Sequence, residues 1–528
     1  MGVPRPALLL PALLLPALLL CGPARPALAA RPQMAPSAAV LRAFEARVDE
    51  VLAWAGLDAE RAGLLLYSTR EGRYLAQRNI HRPYIPASNA KLVTTYAAMR
   101  VLAPDHRWRT RFHRVEEHDD ARGGMRQGLL VEAGGDPTLT AADLQRVAWV
   151  LRSHGIDRLD AGLYFDGGLF DDVIFPASWG DVSRAQPWFA PVSPFIVEHN
   201  VIEFLIATRA GGTGFNVYTR TPGFRIVSAL EPVHGDQPAI RVEQAWQDDT
   251  ATFTVAGSLA PARQPYHLAA AVERPLVHFY QQLRESLRLA GIQGEMPLRR
   301  GPAPARREHL HTELSPPLPE VLVDVNKNSS NLGAEVLLRT MGLSERDAGV
   351  SAADGLAVLR RAIARDFPEA AAELRQVDGS GLSRENRLSP LLVVRLLNRV
   401  RQDFALRPEF VNSLSVALTD GTLQYRDYPW RLRGRLRAKT GSLAGVSSIS
   451  GYLRLERDVV VFAFLVNEPG RPTLELQEAQ DRALVGLFDA LLAREANDLA
   501  PLLPGAGQPP ASDAAEPAAK VTPGPRVR

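Results

Sequence analysis

Residues 85 to 91 are Ile-Pro-Ala-Ser-Asn-Ala-Lys, and they contain a serine three residues before a lysine. It follows two apolar runs that predict strands, and it opens a predicted helix from Ser88 to about Leu102, since proline is well tolerated just ahead of a helix start. Residues three apart on a helix lie on the same face, about one turn apart. The spacing therefore places the Ser88 hydroxyl beside the Lys91 amine.

Lysine is rare in this chain. Of its 61 basic residues (lysine plus arginine), only four are lysines. An amine can lose its proton near neutral pH and a guanidinium cannot, so a lysine that persists here indicates acid-base chemistry. Three of the four lie in or beside short polar motifs, and the fourth lies near the C-terminus: Lys91, Lys327, Lys439 and Lys520.

Two further motifs accompany the Ser-x-x-Lys pair. Ser329-Ser330-Asn331 follows Lys327 by two residues, and Lys439-Thr440-Gly441 lies on a predicted late strand. A serine three residues before a lysine is common by chance, and Ser-x-Asn is commoner still. Lys-Thr-Gly is rarer, and the three motifs in this order form the set described for β-lactamases and penicillin-binding proteins.

With these motifs, the chain resembles the D-alanyl-D-alanine carboxypeptidase/endopeptidases of the class C low-molecular-mass penicillin-binding proteins. The resemblance runs from about residue 37 to 495. Four longer segments also resemble that family: Gly134-Gly135-Asp136-Pro137-Thr138-Leu139, Asp378-Gly379-Ser380-Gly381-Leu382-Ser383-Arg384, Asp420-Gly421-Thr422-Leu423-Gln424-Tyr425-Arg426 and Lys439-Thr440-Gly441-Ser442-Leu443.

The resemblance implies an α/β (α+β) fold, in which a serine β-lactamase/DD-peptidase-like transpeptidase domain is interrupted by β-rich inserted domains. The long gap between Lys91 and Ser329 is similar to that family's, and its Gly/Pro/Asp-punctuated apolar runs predict mostly strands. We expect a discontinuous catalytic domain at 34–105 and 300–498. The expected insertions are a second domain at 106–180 and 262–299, with a third nested at 181–261.

Several elements are predicted by hydrophobic periodicity. Helices are expected at about 37–55, 141–154, 275–291 and 473–494, and strands at 64–67 and 73–77. Three more strands are expected between 432 and 467, and a disordered tail follows at 499–528.

The residue types themselves suggest the chemistry. A serine hydroxyl needs a base to become a good nucleophile, and Lys91 can be that base if burial and neighbouring positive charge lower its pKa. Lys439 and Lys327 are candidates for that charge. The backbone N–H of Ser88 can form half of an oxyanion hole; the resemblance implies that Ser442 supplies the other half.

The remaining roles come from the same chemistry. Ser329 is expected to relay a proton to the leaving amine, Asn331 to bind the substrate amide, and Lys439 with Thr440 to hold a terminal carboxylate. The candidate catalytic residues are Ser88, Lys91, Ser329, Asn331 and Lys439. The candidate substrate-binding residues are Thr440, Gly441, Ser442, Asp136 and Arg384.

Asp136 and Arg384 are proposed for specificity. A stem peptide containing diaminopimelate ends in a zwitterion, whose recognition needs one acid and one base near the cleft. A turn aspartate before a proline and a surface arginine are equally good interpretations of the same residues. By resemblance, β-lactams are expected as covalent inhibitors and peptidoglycan peptides as substrates.

Three alternative functions remain open. A β-lactamase would need a carboxylate that activates water, for which Glu385 is the nearest acid to the Arg384 motif. A non-enzymatic β-lactam or peptidoglycan receptor would be expected to have lost one of the three motifs. A histidine-dependent hydrolase could use His81, but no Gly-x-Ser-x-Gly elbow surrounds Ser88.

The N-terminus predicts secretion. Arg5, an apolar run from Pro6 to Leu20, and Ala27-Leu28-Ala29 form a signal peptide over residues 1–29, with cleavage expected after Ala29. A retained anchor is the alternative. Lipidation of Cys21 is not expected, because the preceding residue should be small and Leu20 is bulky. We therefore expect a periplasmic or otherwise extracytoplasmic protein.

The mature chain would contain no cysteine, which excludes disulfides, Cys-based metal sites and thiol nucleophiles. No residue spacing suggests a metal or an organic cofactor. A net charge of +3 gives no sign of a nucleic-acid partner. Any membrane association is expected to be peripheral, and the sequence does not indicate an oligomeric state.

Overall fold

A computed structural model describes residues 38–118, 123–180, 185–233, 238–262, 264–300 and 302–499. Its α-helices are α1 Ala38–Trp54, α2 Ala90–Val101, α3 Ala141–Ser153, α4 Pro275–Leu289, α5 Leu318–Lys327, α6 Asn331–Gly342, α7 Ala352–Asp366, α8 Pro390–Gln402, α9 Arg407–Ser413 and α10 Thr473–Leu499.

The strands within the same ranges complete the fold. They are β1 Ala62–Ser68, β2 Arg73–Arg78, β3 Arg109–His118, β4 Met125–Glu132, β5 Gly162–Asp166, β6 Val201–Thr208, β7 Phe215–Tyr218, β8 Arg225–Pro232, β9 Ala239–Gln247, β10 Thr250–Leu259, β11 Tyr266–Ala271, β12 Leu298–Arg299, β13 Arg307–Leu314, β14 Ser415–Val416, β15 Leu436–Leu443, β16 Val446–Arg454 and β17 Val459–Asn467.

The catalytic body is a six-stranded sheet in the order β14-β15-β16-β17-β1-β2. All of its pairings are antiparallel, and β1 pairs with β17 from Ala62 opposite Val466 to Ser68 opposite Val460. The sheet therefore joins the first strands of the chain to the last. The chain ends of this body pack together across the long insertion, as the sequence predicted.

Helices cover both faces of this sheet. On one face α1 and α10 pack together over a core that includes Phe464 and Phe488. On the other face α2 and α5–α8 form a second core that includes Tyr96 and Leu392. Most of α2 is buried on every side, from Ala90 to Ala98. A helix buried all round belongs at the centre of a domain, and this one carries the predicted active-site residues.

In the residues that the structure describes, the insertion contains three further sheets. A five-stranded sheet in the order β12-β5-β4-β3-β13 packs against α3 and α4 around a core that includes Phe112 and Phe279. Two three-stranded sheets, β8-β10-β9 and β11-β6-β7, enclose a separate core that includes Phe204 and Phe253. The β-rich character that the sequence indicated is present, with the smaller core nested within the larger insertion.

Sheet pairing places two boundaries differently from the prediction. Strand β11 pairs with β6, so residues 266–271 belong to the nested sheets, whereas the prediction placed them in the second domain at 262–299. Strand β13 pairs with β3 from Arg307 opposite Val115 to Leu314 opposite Arg109, so the insertion continues past residue 300. Both strands are short returns whose partners lie far away in sequence, and local composition carries no information about such pairing.

The predicted helices and strands named above are present, with ends that shift by a few residues. The helix expected from Ser88 begins at Ala90, because a 3-10 turn at Ala87–Asn89 precedes it. The predicted signal peptide and all but the first residue of the predicted tail lie outside the described residues. Within the described part of the chain, no helix is both long and apolar enough to cross a membrane.

Candidate active site

Ser88 lies in a tight turn between two elements. The 3-10 turn at Ala87–Asn89 leads directly into α2, and Ala87 has a φ of 46°, a left-handed conformation that is unusual for a residue with a Cβ atom. Asn89 holds the turn against β15, since its Nδ2 donates to the Lys439 carbonyl (3.1 Å) and to Ser448 Oγ (2.8 Å). Backbone strain held by surrounding contacts is typical of functional sites.

Lys91 is fully buried beside that turn. Its Nζ donates to Ser88 Oγ (3.0 Å), to Asn331 Oδ1 (2.6 Å) and to the Ser380 carbonyl (2.7 Å). The last two acceptors have no proton to give. A neutral amine has two N–H groups and one lone pair, so it would donate to these two oxygens and turn its lone pair toward the Ser88 hydroxyl. The geometry suits a base for Ser88.

The charge state of Lys91 is set by its surroundings. Burial lowers the pKa of Lys91 from its usual 10.5 to about 7, because an ammonium loses its hydration there, and the nearby Asp378, Glu335 and Asp324 carboxylates oppose that effect. Burial first, and then the charge of Lys91, hold the pKa of Lys439 well below its usual range. Two buried amines share the site, and burial is the main reason that either can be neutral near pH 7.

Lys439 links two of the motifs. Its Nζ donates to Ser329 Oγ (2.9 Å) and to the Thr440 carbonyl (2.8 Å). Ser329, with a φ of 62°, lies in the turn between α5 and α6. In the described part of the chain Ser329 is bonded to Lys439, not directly to Lys91 as the expected relay would require. Because its oxygen accepts from Lys439, the Ser329 hydroxyl proton is left for another acceptor.

Asn331 connects the catalytic body to the insertion. It is the first residue of α6, and while its Oδ1 accepts from Lys91, its Nδ2 donates to the carbonyl of Trp188 (2.9 Å). Trp188 lies in a 3-10 turn at Pro187–Phe189, within the inserted segment. This contact orients the side-chain amide, so the insertion helps aim the Asn331 oxygen at Lys91. One N–H of the amide remains for a substrate.

Strand β15 forms the opposite wall. A Cβ atom at Gly441 would lie 2.6 Å from the backbone nitrogen of Ser88, so only glycine allows this approach. The approach brings the backbone of Ser442, the predicted second oxyanion donor, close to Ser88. The strand is also open along one side, because β14 pairs only with Ala438 and Arg437. The segment from 439 to 443 therefore has room for an extended peptide alongside it.

Two polar side chains of β15 are held by hydrogen bonds from neighbouring elements. Thr440 Oγ1 donates to Thr422 Oγ1 (2.7 Å), and Gln477 Nε2 donates to Ser442 Oγ. Thr422 follows Asp420-Gly421 in a 3-10 turn, and Gln477 lies in the second turn of α10. Both hydroxyl groups are thus fixed on the strand that faces Ser88.

Lys327 does not supply charge to Lys91, contrary to our expectation. Its Nζ forms an ion pair with the Asp420 carboxylate, and it ends α5 beside the motif rather than inside it. An ion pair is locally neutral, and the pKa of Lys91 is lowered by burial instead. Proximity along the chain suggested the charge role, whereas the partner of Lys327 comes from a segment 93 residues away.

Arg384 and Asp136 have different surroundings, and they share no described hydrogen bond or ion pair. Arg384 is exposed, and its Nη1 donates to the Ala444 carbonyl (2.9 Å), just past the end of β15. Asp136 is buried, and its Oδ1 accepts from the backbone and hydroxyl of Thr138 (2.8 and 2.7 Å). Burial raises the pKa of Asp136 to about 6.

Asp136 lines a different cavity, of about 320 Å³, together with Pro317 and Glu320 at the start of α5. Ser329 follows the other end of that ten-residue helix, about 15 Å away at 1.5 Å per residue. The structure therefore brings Arg384 to the edge of the site and leaves Asp136 in the geometry of a turn aspartate.

The residues that a β-lactamase or a histidine-dependent hydrolase would use have other partners. Glu385 is exposed, and its carboxylate forms an ion pair with Arg375. His81 is exposed, and its Nδ1 lies 2.7 Å from Glu373 Oε1. Neither side chain has a described hydrogen bond to Ser88 or Lys91, so the geometry favours lysine as the base.

Sequence reasoning missed several residues that complete the site. Ser380 and Thr422 lie within segments that carried the resemblance, but neither was assigned a role. The carbonyls of Ser380 and Trp188 act through the backbone, so no side-chain type signals them. The missed residues are Ser380, Thr422, Gln477, Trp188 and Glu335.

Comparison with known proteins identifies the fold and family. The sequence profile of the D-Ala-D-Ala carboxypeptidase 3 (S13) family matches residues 44–490. The chain is 29% identical over 472 residues to a D-alanyl-D-alanine carboxypeptidase of Actinomadura sp., a match that covers 86% of each protein. It is 24% identical over 447 residues to the D-alanyl-D-alanine carboxypeptidase DacB of Haemophilus influenzae, covering 83% of this chain and 91% of that one.

The fold is also similar to solved structures. The crystal structure of penicillin binding protein 4 from Haemophilus influenzae aligns with a TM-score of 0.71 at 22% identity, covering 84% of this chain and 99% of that chain. A crystal structure of the same protein complexed with a β-lactam aligns with a TM-score of 0.63. Both alignments show that this chain shares the fold of that protein.

Proposed function

The chain belongs to the D-Ala-D-Ala carboxypeptidase 3 family, and we propose that it cleaves peptidoglycan stem peptides after a D-alanyl residue, with Ser88 as the nucleophile. One observation carries the assignment of residues. Lys91 Nζ lies 3.0 Å from Ser88 Oγ, while two oxygens without protons take its other hydrogen bonds. This arrangement leaves the amine lone pair to accept the serine proton.

The reaction is acyl transfer in two steps. Ser88 Oγ attacks the D-alanyl carbonyl carbon as its proton passes to Lys91, and the oxygen that becomes negative is bound by the N–H groups of Ser88 and Ser442. The C–N bond then breaks, and the leaving nitrogen receives that proton from Lys91. Water hydrolyses the ester in the second step, and one of its protons returns through Lys91 to Ser88.

The substrate is proposed to lie along β15. An extended peptide can add to the open side of residues 439–443 as an extra strand. The hydroxyl groups of Thr440 and Ser442 suit a terminal carboxylate. Asn331 keeps one amide N–H for the substrate backbone. A carboxypeptidase and an endopeptidase share this step and differ only in the group that leaves with the nitrogen of the scissile bond.

A β-lactam is proposed to follow the same path and stop at the ester. The test is a fluorescent penicillin incubated with the purified protein, followed by mass spectrometry of the labelled peptide. We expect a stable adduct on Ser88 that is absent from Ser88→Ala. The assignment fails if the protein is not labelled, or if Ser88→Ala is labelled at the same rate.

Purified muropeptides measure the balance between the two peptidase activities. Uncross-linked pentapeptides and cross-linked dimers are incubated with the protein in separate reactions. Release of D-alanine from the first shows carboxypeptidase activity, and conversion of dimers to monomers shows endopeptidase activity. If neither substrate is cleaved while penicillin still labels Ser88, a non-enzymatic β-lactam receptor replaces the peptidase proposal.

The proposed place of action is outside the cytoplasm. Residues 1–29 have the sequence of a secretory signal, and the proposed substrate is a component of the cell wall. Expression of the full chain in a bacterial host, followed by fractionation and N-terminal sequencing, tests this assignment. We expect a periplasmic or secreted protein that begins at Ala30, and a protein that stays in the cytoplasm with its N-terminus intact would contradict it.

A further inference from the structure

Glu335 is a fully buried acid that the proposed reaction does not use directly. It lies four residues after Asn331 on α6, so the two side chains share one face of the helix. Its Oε1 accepts the backbone N–H groups of both Gly379 (2.9 Å) and Ser380 (2.9 Å). A single carboxylate oxygen therefore holds two consecutive peptide units of the segment that follows Asp378.

The segment held by Glu335 contacts the base. The Ser380 carbonyl accepts a hydrogen bond from Lys91 Nζ at 2.7 Å. The next residue, Gly381, packs so closely on the Ser88 turn that a Cβ atom there would lie 2.0 Å from the Ala87 carbonyl oxygen. The segment is thus wedged between α6 and the nucleophile's own turn, and a shift of its peptide units would move the Lys91 acceptor.

Helix α6 controls two of the three acceptors around Lys91. Asn331 contacts Lys91 Nζ directly through Oδ1, whereas Glu335 acts through the backbone of Ser380. We propose that Glu335 is a positioning residue for the Lys91 base, which it serves by fixing the direction of the Ser380 carbonyl. This inference rests on the proposed function and adds to it a residue that touches neither substrate nor nucleophile.

The surroundings of Glu335 favour its neutral form on balance. Burial and the neighbouring Asp378 charge raise the pKa of Glu335 to about 7, and Arg339, one turn further along α6, and the two bound N–H groups only partly offset this rise. Asp378 holds the rest of the segment, since it accepts from the N–H groups of Gly381 (2.8 Å) and Ser383 (2.7 Å). Two properties of Glu335 can be tested separately by substitution: the length of its side chain and its charge.

Two variants separate them. Glu335→Gln keeps an oxygen at the same reach and removes the charge, whereas Glu335→Asp keeps the charge and withdraws the carboxylate by about 1.5 Å, one carbon-carbon bond. The measurement is the kinetics of penicillin acylation, resolved into the dissociation constant of the first complex and the rate constant of acylation.

We expect Glu335→Gln to acylate within about fivefold of the wild-type rate constant, because an amide oxygen makes a weaker but correctly placed hydrogen bond. Glu335→Asp is expected to lose at least about tenfold, because a base displaced by about an ångström loses much of its effect. The dissociation constant of the first complex should stay unchanged in both, since Glu335 touches no ligand.

Glu495 supplies a matched control. It is buried on α10, and its carboxylate accepts two consecutive backbone N–H groups, those of Glu456 (2.8 Å) and Arg457 (2.7 Å), far from Ser88 in the fold. Glu495→Asp should lose a similar amount of thermal stability and acylate at the wild-type rate. A positioning role predicts a loss in Glu335→Asp that this control does not share.

The outcomes are distinguishable. If Glu335→Asp acylates as fast as Glu335→Gln, or if both match the wild type, the positioning role is wrong. It is also wrong if Glu495→Asp slows acylation as much as Glu335→Asp, because the effect is then one of general stability. If the wild-type protein itself is not acylated, the proposed function has failed before this inference is tested.

Discussion

Replacing Lys91 with arginine tests the central feature of the site. Arginine keeps a positive charge and a long side chain, but it does not give up its proton in proteins. In the structure Lys91 is fully buried, and burial lowers its pKa to about 7. Lys91→Arg therefore removes the base and keeps the charge, which is the most informative single substitution for the mechanism.

The structure sets the size of the effect. With a pKa of about 7, half of the Lys91 amines are neutral at pH 7, whereas a pKa of 10.5 would leave roughly one in 3,000 neutral. A positioned general base contributes about 10²- to 10⁴-fold to a rate. We expect acylation by penicillin to slow at least about 100-fold in Lys91→Arg.

The pH profile of the wild-type protein gives an independent reading. Only neutral Lys91 can accept the Ser88 proton, so the acylation rate constant should rise with pH through a midpoint near 7 and level off above it. Below the midpoint it should fall about tenfold per pH unit. The assay is stopped-flow fluorescence with a labelled penicillin between pH 5 and 10.

Lys439→Arg is the control. Lys439 donates hydrogen bonds to Ser329 and to the Thr440 carbonyl, and a guanidinium can partly replace both bonds. It should keep more acylation activity than Lys91→Arg. The reverse order, or a wild-type midpoint near 10, would refute the assignment of Lys91 as the base.

Three further predictions rest on particular contacts. Gly441→Ala should slow acylation at least about tenfold without unfolding the protein, because its Cβ would lie 2.6 Å from the Ser88 nitrogen and push the strand away; a wild-type rate constant would contradict this close approach. Arg384→Ala should lower turnover of a diaminopimelate-containing stem peptide more than turnover of a matched peptide that lacks the side-chain zwitterion. Asp136→Ala should change the turnover of the two peptides equally. Equal effects of Arg384→Ala on the two peptides would contradict the role of Arg384. Burial lowers the pKa of His278 to about 3, below its unfolded value of 6.5, so the unfolded state binds a proton that the folded state does not as pH falls from 6.5 to 3. Folding stability should therefore drop by up to about 1.4 kcal/mol per pH unit in that window, and His278→Phe should remove this part of the drop in urea unfolding curves; identical pH dependence in both proteins would count against it.

Much of the fold was predictable because its signals are local. Hydrophobic periodicity predicted α3, α4 and α10, and the strands from β15 to β17, within a few residues of their ends. The boundary between Ser88 and α2 was not predicted, because a 3-10 turn and the first turn of a helix have the same sequence preferences. The limits of the insertion were also misplaced, since β11 and β13 are assigned by partners that lie more than 50 residues away.

The candidate site was also predictable in part. The motifs predicted side chains that do meet in the structure: Lys91 is hydrogen-bonded to Ser88 and Asn331, and Lys439 is hydrogen-bonded to Ser329. This set includes two pairs more than 100 residues apart. Motif resemblance could identify those pairs, since the order of motifs along a chain reflects a shared fold.

Other features could not be predicted from residue types. The Lys327 ion pair with Asp420, the local bonds of Asp136 and the Trp188 carbonyl behind Asn331 depend on which segments pack together. Residue spacing along the chain does not determine these distances. A nearby charge in sequence was therefore a poor guide to the charges around Lys91.

The family and the proposed pairing of Ser88 with Lys91 were readable from the sequence, because a scarce lysine three residues after a serine, with two companion motifs, is a local chemical pattern. The suitability of Lys91 as a base became visible only in the folded protein. Its pKa depends on burial, which many segments produce together, and its lone pair is directed by the Ser380 carbonyl, a backbone group that every residue type possesses.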